Sequence, residues 1–320
     1  MINLGRAKQH WEDTLLDLTP VESVSGMLFK REDKFAPLGY GAINGAKLRQ
    51  LIWLVNRYKQ QGGDAGLLSG ASVHSPQLSM GTAVASHFGL PSTHVLGATN
   101  SVSSLRHPDV NMAYSMGATF EYSKVGYNGA LQAMVRRLLE TEKYAGYFYL
   151  EYGVSLDHKQ HPPEDIAAFH RVGAQQVQNL PDVNHLIVPA GSCNSLVSVL
   201  YGLALHQGQP RHIVLPEIGP SKRKWVQERL AAIQSVSDKN MGFDRLFNCV
   251  EYHDLHGTGY VTYSDTRPYT HGSITFHSRY EGKVMTWLAD RKPELIAPDS
   301  LLWVIAGHGS ADKMRQAYTA

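Results

Sequence analysis

Short apolar runs closed by glycine or proline alternate with stretches of helical periodicity along nearly the whole chain. That alternation predicts an α/β fold with mostly parallel strands, because each parallel strand needs a crossover helix to bring the chain back. Leu48 to Gln60 carries apolar residues at 48, 51, 52, 54 and 55, which predicts a helix that Gly62-Gly63 ends. A buried strand and turn are expected over 65–70, a helix over 77–88 before Gly89, and a strand over 93–97. Helices over 111–116 and 128–142 flank a strand over 118–122. After Pro162-Pro163 the pattern predicts a helix over 166–180, a strand over 185–189, a helix over 195–206 and a strand over 212–216. The Tyr-, Thr- and Gly-rich stretch from Gly242 to Ser278 reads as extended segments and loops. Two domains are expected: a small α/β unit over 52–155, and a larger one built from 1–51 and 156–320 with helices on both faces of its sheet.

Composition narrows the function classes. With 43% hydrophobic and 18% charged residues and 29 glycines among 320, the chain has the profile of a soluble enzyme. A net charge of +2, with no like-charge run beyond Lys222-Arg223-Lys224, announces no broad nucleic-acid-binding face. Cys193 and Cys249 form neither a disulfide framework nor a zinc spacing, so a reducing, cytoplasmic setting is expected. Met1 to Leu15 mixes Arg6, Lys8, Glu12 and Asp13 among its apolar residues, unlike a signal peptide. The most apolar stretch, Leu196 to Leu205, falls short of the roughly 18 residues of a membrane span, so no membrane partner is expected. Of the 16 histidines, His158 and His161 run into Pro162, and His253 and His256 sit beside Gly257 and Gly259; no metal is expected.

Parallel sheets bind ligands where strands end and helices begin. Several such junctions stand out. Lys47, in Gly45-Ala46-Lys47-Leu48-Arg49, sits at the mouth of an apolar helix, where an amine can form a Schiff base. Val188 to Leu196 passes from a strand through Gly191-Ser192-Cys193-Asn194-Ser195 into a helix, an arrangement whose backbone N–H groups suit an anion or an ordinary helix cap. Ser69 to Gln77 is a second polar turn before a helix, holding Ser72, Val73, His74 and Ser75. Tyr280-Glu281-Gly282-Lys283 opens another helix, and Trp303 to Ser310 is a strand ending in Gly307-His308-Gly309.

Lys30-Arg31-Glu32-Asp33, the Lys47 turn, the serine turn, the 191–195 turn, Tyr280-Glu281-Gly282-Lys283 and the closing Gly-His-Gly occur in the order found in the pyridoxal-phosphate (PLP) enzymes related to 1-aminocyclopropane-1-carboxylate deaminase and D-cysteine desulfhydrase. The chain resembles that family over nearly its full length. The resemblance implies the tryptophan-synthase-β-like fold (fold type II), PLP carried on Lys47, and its phosphate held by Gly191, Ser192, Cys193, Asn194 and Ser195. Glu281 would face the pyridine nitrogen, keeping it protonated and the ring a strong electron sink, with Gly307 and His308 near the same edge. Ser72, Val73, His74, Ser75, Arg279 and Tyr280 would meet the substrate, with Lys47, Tyr280, Ser72 and His74 in the chemistry. A homodimer is implied as well.

The sequence also departs from the family pattern. Val73 replaces an asparagine that reaches the cofactor's ring oxygen, Cys193 and Asn194 stand where glycines are common, and His277-Ser278-Arg279 replace Asp-Pro-Val. Arg279 is placed to lower the pKa of the Tyr280 phenol or to bind a second anion on the substrate. The resemblance favours a lyase or deaminase acting on a small amino acid. The departures point to an alternative: a PLP-dependent decarboxylase or lyase acting on an unusual amine or amino acid attached to a nucleotide or DNA. A non-catalytic relic that binds is a further alternative, opposed by the presence of both Lys47 and Glu281.

Overall fold

The computed structural model describes residues 11–39, 43–206 and 212–307. Helix α1 (Trp11–Leu16) leads into a hairpin of β1 (Val21–Val24) and β2 (Met27–Arg31), followed by α2 (Lys47–Gln60). Next come β3 (Leu67–Ala71), α3 (Gln77–His87), β4 (Ser92–Leu96), α4 (Ser101–Ser104), α5 (Pro108–Ser115), β5 (Thr119–Tyr122), α6 (Asn128–Leu139) and β6 (Phe148–Leu150). The chain then runs through α7 (Pro163–Ala174), β7 (His185–Ile187), α8 (Asn194–His206), β8 (His212–Glu217), α9 (Arg223–Ser235), α10 (Phe243–Phe247) and β9 (Val250–Asp254). A small hairpin of β10 (Thr270–His271) and β11 (Ile274–Thr275), then α11 (Glu281–Arg291) and β12 (Ser300–Val304), complete it.

Strands β5-β4-β3-β6 form one sheet in which every pairing is parallel. The second has the order β1-β2-β12-β7-β8-β9, parallel except for edge strand β1. Every residue of β3, β4 and β12 is buried, as expected for strands covered on both faces. No helix among the described residues is long and apolar enough to cross a membrane.

Several boundaries move for identifiable reasons. The helix expected at 111 starts at Pro108, whose fixed φ suits the first helical position, with Asp109 favoured by the helix dipole. The helices expected to reach 142 and 180 stop at Leu139 and Ala174, and the chain tightens into short 3-10 turns at Glu142–Tyr144 and Gln175–Val177. Helix α10 lies inside the stretch read as extended segments and loops; its five residues are too few to display a period.

The Lys30 to Asp33 segment braces the helix that carries Lys47. Lys30 is fully buried and donates to the Thr19 carbonyl at 2.8 Å and to Asn179 Oδ1 at 2.6 Å. Glu32 accepts from the Thr19 hydroxyl at 2.6 Å and pairs with Arg49, whose Nε and Nη2 lie 3.3 and 3.4 Å from its oxygens. Arg49 also donates to the Leu15 carbonyl at 2.7 Å, and its guanidinium lies 3.6 Å from the Phe35 ring centroid. Arg49 follows Lys47 by two residues, so this buried pair fixes the first turn of α2. Removing one partner strands a buried charge: Arg49→Ala should cost about 3–5 kcal/mol of stability. Urea unfolding followed by circular dichroism measures this, and an unchanged midpoint would contradict the bracing role.

Candidate active site

One cavity of about 690 Å³, counting its open mouth, lies where the carboxyl ends of β3, β7 and β12 meet the start of α2 and α11. Its wall includes Lys47, Ser75, Gln77, Gly191, Ser192, Cys193, Ser195, Tyr280, Glu281 and Gly307. The backbone just past β12 joins the two ionisable ends. The Ile305 carbonyl accepts from Ala46 N at 3.0 Å, while Ile305 N and Ala306 N both donate to Glu281 Oε1 at 2.9 Å. Gly45 adopts φ +115 and pairs with Ala306, and a Cβ there would lie 3.0 Å from both Gly307 N and Ile305 O. Only glycine allows this approach.

The two ionisable groups have shifted acidities. Burial pulls the Lys47 ammonium down to about 8, and the nearby Lys222 adds to the effect. A large neutral fraction at mildly alkaline pH is what a nucleophilic amine needs. Glu281 is fully buried, and burial pushes it up to about 7 against the three backbone donors that favour its anion. Among the described residues its Oε2 has no hydrogen-bond partner. A buried carboxylate oxygen in a cavity wall calls for a donor, and a protonated pyridine nitrogen supplies one.

The turn after β7 fits the other end of the cofactor. Among the described residues, no protein acceptor takes the N–H groups of Gly191, Ser192 and Cys193. Cys193 has φ +66, in the left-handed region that favours glycine, so consecutive amides form a concave anion nest beside the start of α8. Burial pushes the Cys193 thiol up to about 12, so it stays neutral. The Asn194 side chain is buried outside the cavity wall, and its Nδ2 donates to the carbonyls of Gly153 and Val154 at 3.0 and 3.1 Å. The side chain braces the turn from behind.

Of the serine turn, Ser75 lines the cavity, whereas Ser72, Val73 and His74 stand outside its wall. The Ser72 hydroxyl accepts from His74 N at 3.4 Å. The His74 ring meets His107 edge-on at 4.5 Å, and its Nδ1 lies 3.4 Å from Arg279 Nη2. Arg279 also donates to the Ser264 carbonyl at 2.8 Å, and no carboxylate pairs with it among the described residues. Burial, then Arg279 and His107, lowers the His74 pKa, so Arg279 carries the positive charge of this group at neutral pH. The expected lowering of the Tyr280 phenol does not occur: burial and the neighbouring Tyr263, Tyr152 and Asp109 push it well up. Tyr280 therefore lines the cavity as a neutral phenol. Asp109 accepts from Ser79 at 2.9 Å, and burial raises it to about 6. His107 and Asp109 had no sequence signal, since only folding brings His107 to His74 and Asp109 near Tyr280. His308 lies outside the described residues.

The described residues thus offer an amine, a carboxylate with a free oxygen and an amide nest, all in one cavity, and these fit PLP. No family model matches the chain. It is 37% identical over a 373-residue alignment, spanning 99% of this chain and 88% of that protein, to the O-seryl-dTMP PLP-dependent decarboxylase of Salmonella phage ViI. Among solved structures, an ACC deaminase homologue superposes with a TM-score of 0.69 at 17% identity, covering 95% of this chain and 94% of its own. An O-ureido-L-serine synthase gives 0.57 at 16% identity (94% and 92%), and threonine deaminase isoform 2 of Solanum lycopersicum gives 0.56 at 12% (97% and 92%). Because the Lys47 amine is neutral only above about 8, the rate at which apoprotein takes up PLP, followed by visible absorbance, should rise with pH and level off beyond that value. A rate still climbing toward the ordinary lysine value of about 10.4 would contradict the shift. The chain belongs to the family of the phage O-seryl-dTMP PLP-dependent decarboxylase, within the fold type II PLP enzymes.

Proposed function

We propose that this enzyme decarboxylates an amino acid joined to a nucleotide through its side-chain oxygen. The near full-length identity with the phage O-seryl-dTMP decarboxylase carries this reading. Chemistry then fixes the linkage. The α-amine must be free to bond PLP and the α-carboxylate free to leave, so a seryl group can be attached only through its own side-chain oxygen. The Cα–carboxylate bond breaks, CO2 departs and a proton takes its place, leaving an O-(2-aminoethyl) group on the nucleotide. PLP, when bound, accepts the electron pair of the broken bond into its ring.

The chain's residues supply the rest. Lys47 would hold the cofactor and afterwards, as a free amine, deliver the proton to Cα. Glu281 Oε2 would accept the pyridine N–H, and the 191–195 turn would hold the phosphate. Ser75, on the serine turn, is buried in the cavity wall where a substrate carboxylate would lie. Tyr280, kept neutral, would donate or accept a hydrogen bond without adding charge. Arg279, beside His74 and in an ion pair with no carboxylate among the described residues, suits the phosphate of a nucleotide. The small-amino-acid deaminase expected from the motifs shares the fold and cofactor but gives this arginine no partner.

Incubating holoenzyme with O-seryl thymidylate should release CO2 and leave an amine whose mass is lower by that of CO2. Ammonia and a keto acid from free small amino acids, with no CO2 from the nucleotide, would restore the deaminase reading. Arg279→Ala should raise KM for the phosphate-bearing substrate about 10-fold or more, the effect of losing a charge-assisted contact, while hardly affecting the corresponding seryl nucleoside. Equal losses on both would remove Arg279 from phosphate recognition.

A further inference from the structure

Lys222 immediately precedes α9, on the loop that leaves β8. That loop runs alongside the 191–195 turn. Ala190 pairs with Glu217, Ile218 N donates to the Ala190 carbonyl at 2.9 Å, and a Cβ on Gly219 would lie 3.9 Å from Gly191 Cα. The Lys222 ammonium is flanked by two rings, 5.8 Å from the Tyr152 centroid and 5.5 Å from that of Trp225. Tyr152 adjoins Gly153, a Cβ on which would lie 2.9 Å from Ser192 Cβ, so the ring side of the ammonium is also tied to the turn.

Among the described residues the side chain has ring contacts and no hydrogen-bond acceptor or carboxylate. Glu217, the buried carboxylate of this loop, is engaged elsewhere: Ser221 donates to it at 2.6 Å and Arg223 lies 3.5 Å away. Two aromatic faces attract a cation but give its N–H groups no acceptor. An anion beside the turn would provide one.

We propose that Lys222 is a ligand of the cofactor's phosphate, adding a full positive charge to the amide nest of Gly191, Ser192 and Cys193. The amides and the start of α8 contribute only partial charges to a phosphate carrying nearly two negative ones. The electrostatics agree with this placement. Burial lowers the Lys222 pKa, Cys193 of the turn is the next influence on it, and Lys222 in turn lowers that of Lys47. The three side chains share one field. The assignment concerns the cofactor alone and holds whichever substrate the enzyme takes.

The test compares PLP with pyridoxal, which has the same aldehyde and ring but no phosphate. Dissociation constants for both are measured by absorbance titration on the stripped full-length protein, as wild type, Lys222→Ala and Lys222→Arg. Losing one charge-assisted contact should weaken PLP binding about 10- to 100-fold in Lys222→Ala, leave pyridoxal within about 2-fold, and be largely rescued by Lys222→Arg. Equal weakening of both ligands would assign Lys222 a general packing role and overturn the proposal. Unchanged PLP affinity would overturn it too, and if accompanied by a raised KM for a nucleotide substrate would assign the charge to the substrate's phosphate. As a readout independent of affinity, the phosphorus NMR signal of bound PLP should change its pH dependence in Lys222→Ala; an identical titration would count against the contact.

Discussion

The active site depends on two consecutive peptide units, Ile305 and Ala306, at the end of a fully buried strand. One carbonyl receives the N–H of Ala46 and holds the Lys47 turn; two N–H groups fasten Glu281. The nucleophile and the carboxylate come from helices far apart in sequence, and this short stretch of main chain sets their separation. A rigid reference is needed because positioning errors of an ångström are costly in catalysis. Strand β12 provides it, lying between β2 and β7 in the larger sheet. Gly45 follows from the same constraint, since any side chain there would push the Lys47 turn off the strand end. On the other side, the buried Glu32–Arg49 pair fixes the first turn of α2. Lys47 is therefore held from two directions.

Burial acts in opposite senses on the groups so held. It lowers Lys47 toward neutrality and raises Glu281 toward protonation. In both cases the largest cause is burial, which removes water from around the charged form. The free oxygen of Glu281, the acceptor-free amides of 191–193 and the ring-flanked ammonium of Lys222 have one thing in common: each is a polar group that the described residues leave incomplete. PLP has a ring nitrogen, an aldehyde and a phosphate to match them.

Much of this was legible in the sequence, for a physical reason. Lys47, Glu281 and the 191–195 turn lie at junctions between elements, where the local pattern marks a possible ligand site and the family resemblance suggests which ligand. Contacts between distant segments were not legible. Glu32 belongs to a recognisable motif, yet its bond to Arg49 shows only in the fold. Arg279 and His74 are 205 residues apart; the resemblance puts both on the substrate side, but their direct contact shows only in the fold. Lys222 reads as part of a basic surface run until its neighbours place it between two rings. The bonds from the Asn194 side chain to the Gly153 and Val154 carbonyls likewise show only in the fold. The substrate was least legible: the family motifs pointed to a deaminase, whereas Val73 and Arg279, the departures from them, pointed toward the class of relative that the chain matches.

The most direct measurement is reductive trapping. Holoenzyme treated with borohydride and digested should carry the phosphopyridoxyl group on the peptide containing Lys47 and on no other, as required of a single amine held in the cavity opposite Glu281. A label on Lys222, Lys283 or any other lysine, with Lys47 unmodified, would contradict the account at its centre.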